Sequence, residues 1–170
     1  GKMNFIKKHL LFFLFLLGLV ARLSLIFFDY SWDVNNHMVW AKDLVNKGSQ
    51  NFYQTQSSNV FAYLYPNYPP LAIFIFAFIY PLSSVIHAVY WWLNLHVAIL
   101  PSNLIFFFEK TLFMAGLFKL PGVLADLGLA LFCNLFAKKI VPKNKKIHLI
   151  APSLILFNPA FIFNSVFDKT

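Results

Sequence analysis

From Leu10 to Phe28 the chain reads LLFFLFLLGLVARLSLIFF, and it passes from there directly into Asp29-Tyr-Ser-Trp-Asp33. Only Arg22 and Ser24 interrupt the apolar run. It is long enough for a membrane helix. No small-x-small cleavage site precedes the Asp29 region, so the segment reads as a retained anchor rather than a signal peptide. A membrane helix thus hands the chain to a loop rich in carboxylates and aromatic rings. Carboxylates at a membrane surface suggest chemistry on something carried by lipid.

Composition agrees with a membrane setting. Of 170 residues, 59% are hydrophobic and 19% aromatic, and only 12% are charged, far from the soluble average. A net charge of +8 would suit nucleic acid, but the placement of the lysines argues against that partner. Lys2, Lys7 and Lys8 form one patch, and Lys138, Lys139, Lys143, Lys145 and Lys146 another. Both flank apolar spans, as the positive-inside bias expects of cytoplasmic segments. Cys133 is the only cysteine and reads as packing.

The expected fold is all-α and polytopic, with spans at about 10–28, 120–137 and 149–166. Residues 29–119 then form a long outer loop. Within that loop, 71–108 contains no Asp, Glu, Lys or Arg. If both lysine patches are cytoplasmic, the chain crosses an even number of times between them. The region 71–108 therefore either lies along the outer leaflet, the reading preferred here, or crosses twice as a hairpin turning near Tyr90–His96. Val34, Met38, Ala41 and Val45 recur at helical spacing, with Asn35, Asn36, Asp43 and Asn46 elsewhere, and Gly48 follows as a stop. This predicts a short amphipathic helix over 34–47, resting on the surface.

Asp33 precedes that helix and has two readings: an N-cap, or a base or metal-binding carboxylate. Asp33, His37 and Trp40 can share one helical face, with Asp29 a turn earlier. That corner suits a sugar, and equally suits a helix anchored by Trp. Arg22 and Asp126 are ionisable groups inside spans, costly and functional by default. Each lies seven residues from the outer end of its span, so a direct ion pair locking two helices is expected. Lys119, just before Leu120-Pro121, is a point charge able to neutralise a lipid phosphate or simply to snorkel. Tyr65-Pro-Asn-Tyr68-Pro-Pro70 is a stiff aromatic segment, suited to a cleft wall or a rigid turn. His87 and His96 have no partner at metal-ligand spacing.

The order of these features resembles the GT-C glycosyltransferases. The shared series is a span bearing Arg22, then Asp33 and Trp40-Ala41, Gly48 and Tyr53, and Tyr68-Pro-Pro-Leu71. It continues with Lys119-Leu-Pro-Gly-Val-Leu-Ala-Asp126 and Asn158-Pro159 ahead of Asn164-Ser165. These polytopic enzymes take sugars from polyprenyl-phosphate carriers. The resemblance implies Asp33 as catalytic base, with Asp29 a candidate neighbour; His37, Trp40 and Tyr68, read above from the residues, are then the substrate-binding candidates. It implies Lys119 beside the departing lipid phosphate, and surface helices over 34–47 and 71–108. The sugar is expected to be a hexose such as mannose, and the acceptor is unassigned. The first-loop carboxylates could act as base, metal ligand or both, which leaves a divalent cation (Mg or Mn) open as cofactor. Relatives are much longer and many continue after Asn164-Ser165 with Trp-Gly-Gln-x-Asp, where this chain has Val-Phe-Asp168-Lys-Thr. The 170 residues are therefore expected to be the N-terminal part of a prokaryotic plasma-membrane enzyme with a cytoplasmic N-terminus, inactive alone. A transporter fragment and a small non-catalytic scaffold are the alternatives.

Overall fold

The computed structural model describes residues 2–167, with side chains from His9 onward. The side chains of Lys2, Lys7 and Lys8, and the terminal Asp168, lie outside the described residues. Every regular element among them is helical: α1 (Lys2–Leu25), α2 (Trp32–Lys47), α3 (Pro70–His96), α4 (Asn103–Phe108), α5 (Thr111–Ile140), α6 (Lys145–Leu156) and α7 (Pro159–Phe167), with a 3₁₀ turn at Phe52–Gln54. Helices α3 and α5 are each long and apolar enough to cross a membrane, and α6 with α7 form a third candidate bent by 41°. The chain is an all-α, polytopic membrane protein. It divides into two compact units, one of residues 1–26 and 119–168, the other chiefly of residues 27–118.

In the first unit α6 and α7 pack on α1 and on each other. Gly18 allows the close approach of α6, since a Cβ there would stand 3.0 Å from Leu156 Cδ2. The unit must satisfy backbone groups that prolines set free, because lipid offers no partner for them. Pro152 lacks an N–H, which leaves the carbonyl of His148 without its helical donor. Buried Asn134 of α5 donates its Nδ2 to that carbonyl. At Phe157–Asn158 the helix breaks, and Asn158 Oδ1 then accepts the N–H of Ala160 at 2.9 Å to start α7, where Pro159 fills a first-turn position.

The second unit is built on α2 packed against α3, with α4 also against α3. Its core joins Trp40, Leu44, Phe52 and Ile73. Much of the remaining surface of α3 is apolar and exposed, including Leu71, Phe78 and Trp92.

Several sequence expectations need correction. The first helix ends at Leu25 rather than Phe28, and its apolar part, His9–Leu25, falls short of the length of a full span. Phe27 instead joins a ring cluster with Phe107 and Phe113, at 5.5 and 5.7 Å. No hairpin turns at Tyr90–His96, because α3 runs unbroken through those residues and a separate α4 follows. A stretch without charges has no polar face, so its pattern does not reveal where one helix stops. Finally α5 begins at Thr111, which places Lys119 inside a helix and not at its end.

Candidate functional site

Helix α2 begins because Ser31 caps it. The Ser31 Oγ accepts the N–H of Val34 at 3.3 Å. Asp33 is therefore not the N-cap. It stands in the first turn, where a carboxylate is favoured by the helix dipole. Gly48 closes the helix at φ +81°, donating its N–H to the Leu44 carbonyl at 3.0 Å, a conformation that suits glycine.

The buried face of α2 is rotated from the pattern. Leu44 is buried and Val45 exposed, and Asn36 points inward at 2% exposure. Asn36 makes a two-bond clamp on the loop: its Nδ2 donates to the Phe61 carbonyl at 2.9 Å, and its Oδ1 accepts the Phe61 N–H at 2.7 Å. Asn35 Nδ2 adds a bond to the Asn59 carbonyl at 3.0 Å. The clamped Phe61 ring stacks on Trp32 with centroids 5.3 Å apart and planes 12° from parallel.

These contacts shape an open cleft of about 790 Å³, lined by Asp29, Tyr30, Ser31, Trp32, Asp33, Ala62 and Tyr63. Asp29 orients within it by accepting the N–H of Tyr30 at 2.8 Å. Ala62 adopts φ +64°, a left-handed conformation that costs a residue with a Cβ about 1–2 kcal/mol. Strain of this kind gathers at ligand sites. Trp32 is 70% exposed, a broad ring held rigid by Phe61 beside two carboxylates.

Of the residues singled out in the sequence, only Asp29 and Asp33 line this cleft. His37, Trp40 and Tyr68 come together one turn below, around the His37 ring. That ring lies 4.4 Å from Phe76, stacked, and 4.2 Å from Tyr68, edge-on. Trp40 is 1% exposed and part of the core, so its faces are covered by protein. Burial pulls the His37 pKa from 6.5 down to about 4, against an opposing pull from Asp33.

Arg22, Asp126 and Lys119 belong to the other unit. Arg22 is fully buried and bonds Asp126 Oδ2 through Nε at 3.1 Å and Nη2 at 3.0 Å. Its Nη1 donates to the carbonyls of Leu156 at 2.8 Å and Gly18 at 3.2 Å, and Nη2 to that of Ile155 at 3.4 Å. Those Ile155 and Leu156 carbonyls are the ones freed where α6 breaks. Lys119 is also buried, 3% exposed, and its Nζ donates to the Ile26 carbonyl at 2.9 Å. It caps the C-terminal end of α1, a favourable place for a cation, and does not snorkel.

Sequence reasoning did not single out Trp32, Ala62 or Tyr63, and it put Asn36 on the polar face of the helix, where the structure buries it. Trp32 lies inside the Asp29–Asp33 stretch, so its neighbours were the available signal. The clamp from Asn36 to Phe61 is a long-range contact with no local signature. Among the described residues, no three His, Cys, Asp or Glu side chains gather where they could hold a metal ion. The two cleft carboxylates do not by themselves make a closed metal site. No family model, curated protein or solved structure matches the chain.

Proposed function

We propose that this chain carries the acceptor-side catalytic cleft of a membrane glycosyltransferase that moves a hexose from a polyprenyl-phosphate carrier to a hydroxyl group. The observation behind the proposal is the cleft itself: Asp29 and Asp33 line it together with the exposed, Phe61-backed face of Trp32. A rigid aromatic face beside carboxylates suits a pyranose, whose C–H face is apolar and whose hydroxyls are hydrogen-bond donors. The ordered resemblance to the GT-C enzymes points the same way.

In this reading Asp33 accepts the proton of the acceptor hydroxyl as its oxygen attacks the anomeric carbon. The new carbon–oxygen bond forms while the bond to the carrier phosphate breaks, and the phosphate leaves as an anion. Asp29, near the rim, binds sugar hydroxyls. A transporter would need Arg22 and Asp126 as pathway residues, yet both are engaged with each other, and Arg22 also with the carbonyls of α6.

The test is transfer of labelled hexose from a polyprenyl-phosphate donor in membranes expressing the natural gene product. Asp33→Asn is expected to lower turnover by roughly 10²–10⁴-fold, the usual weight of a general base, with the protein still folded. Wild-type turnover in that variant would remove Asp33 from the chemistry and the proposal with it.

A further inference from the structure

The end of α5, the turn after it and the start of α6 hold Lys138, Lys139, Lys143, Lys145 and Lys146, all exposed. Residues 127–167 contain no Asp or Glu, and none of the described ion pairs involves these lysines. The turn is fixed. Val141 N–H donates to the Ala137 carbonyl and Asn144 N–H to the Val141 carbonyl, each at 3.0 Å. His148 Nε2 donates to the Val141 carbonyl at 2.9 Å, and Asn144 Oδ1 accepts the N–H of Ile147 at 3.3 Å. Between Ile140 and Lys146 the turn encloses an open concavity of about 680 Å³. Just beyond the lysines on the two helices stand exposed apolar side chains: Phe136 on α5, Ile150 and Leu154 on α6.

Helix stability does not explain this arrangement. Lys145 and Lys146 occupy the first turn of α6, with no acidic residue there, where the helix dipole disfavours cations. Five like charges within nine residues repel one another in addition. An anionic surface reverses both penalties.

We propose that the α5–α6 turn binds anionic phospholipid headgroups of the bilayer that holds the chain. The lysines meet the phosphate plane while the apolar side chains beside them sit among the acyl chains. The stiff turn keeps the charges at one depth. A cluster of basic residues directly next to a membrane helix is the pattern that concentrates anionic lipid. This goes beyond an orientation signal, because it requires selection among lipids. It does not depend on the transferase reading.

The experiment uses the chain in equimolar phosphatidylcholine–phosphatidylglycerol vesicles, with retained lipids counted by native mass spectrometry after extraction. A lysine near an anionic surface is worth about fivefold in binding, so wild type is expected to retain phosphatidylglycerol roughly tenfold or more over phosphatidylcholine. The five-site Lys→Gln variant is expected to fall to near parity and the five-site Lys→Arg variant to keep the preference. High salt should remove it. Equal melting temperatures of all three proteins in pure phosphatidylcholine would show that the Gln variant is folded. An undiminished preference in the Gln variant, or none in wild type, overturns the proposal. So does displacement of the bound phosphatidylglycerol by a stoichiometric DNA duplex, which would make the patch a nucleic-acid surface.

Discussion

Arg22 grips a single oxygen of Asp126 with two of its nitrogens, Nε at 3.1 Å and Nη2 at 3.0 Å, while Nη1 reaches the Leu156 carbonyl at 2.8 Å. One fully buried guanidinium therefore serves α1, α5 and the broken end of α6. Arg22→Leu strands a carboxylate and several carbonyls, and is expected to destabilise the protein by about 3–5 kcal/mol. Asp126→Leu should cost a similar amount. A simple ion pair replaced on both sides by leucine would regain most of that loss. Here Arg22→Leu/Asp126→Leu is expected to stay well below wild type, because the α6 carbonyls remain unpaired. Thermal unfolding in detergent compares the four proteins, and near-complete recovery in the double variant would refute the carbonyl role.

The two tryptophans of α2 should separate cleanly. Trp40→Ala removes a core ring and is expected to cost about 3–5 kcal/mol. Trp32→Ala removes a ring that is 70% exposed, and should leave the melting temperature within a few degrees of wild type. On the transferase reading, Trp32→Ala raises KM for the acceptor by roughly 10-fold, the scale of one lost aromatic contact. Steady-state kinetics with acceptor varied decides it. An unchanged KM would leave Trp32 without a binding role.

His37 gives a signed pH effect. Its pKa is lowered to about 4 by burial, from 6.5. The unfolded chain thus binds a proton at His37 between those two values while the folded chain does not, and stability falls as pH drops through that window. The contribution is fully present above 6.5 and gone below about 4, and is worth at most roughly 3 kcal/mol. His37→Phe should flatten this part of the profile, read as melting temperature against pH. Parallel profiles for the two proteins would show that other groups govern the acid side.

Helix α3 has the length and composition to cross a bilayer, whereas the sequence expectation lays it along the outer leaflet. Single cysteines placed at Lys42 and His96 of a Cys133→Ser protein, both exposed positions, test this with a membrane-impermeant thiol reagent in sealed vesicles. Labelling from the same side is the expected outcome. Opposite sides would make α3 a span and overturn the outer-leaflet reading.

The residues that sequence reasoning placed well are those whose geometry is local to a helix. The stop at Gly48 follows from its backbone freedom, and the pairing of Arg22 with Asp126 from the cost of an unpaired ionisable group inside an apolar run, although the helix ends that set their expected depths are not where the helices end. What was not legible depends on partners distant in the chain. Which tryptophan of α2 becomes core is decided by Ile73 on α3 and Phe52 in the following turn. Asn36 turns inward because Phe61 offers it both a donor and an acceptor. Lys119 read as a terminal residue because the eight residues before it, Thr111 to Phe118, were not recognised as part of the same helix. Its true partner, the Ile26 carbonyl, lies 93 positions away.

The bond from Arg22 to Asp126 spans 104 positions, and that separation sets a schedule for synthesis. At 5–20 residues per second, roughly 5–20 s pass between the making of the arginine and of its aspartate. Through that interval α1 carries a cation in its last turn, with the carboxylate that pairs it not yet made. The Leu156 carbonyl arrives later still, 134 positions on. The first helix is therefore made well before the acceptors of its guanidinium, and it reaches its final packing only once the fifth and sixth helices have followed it.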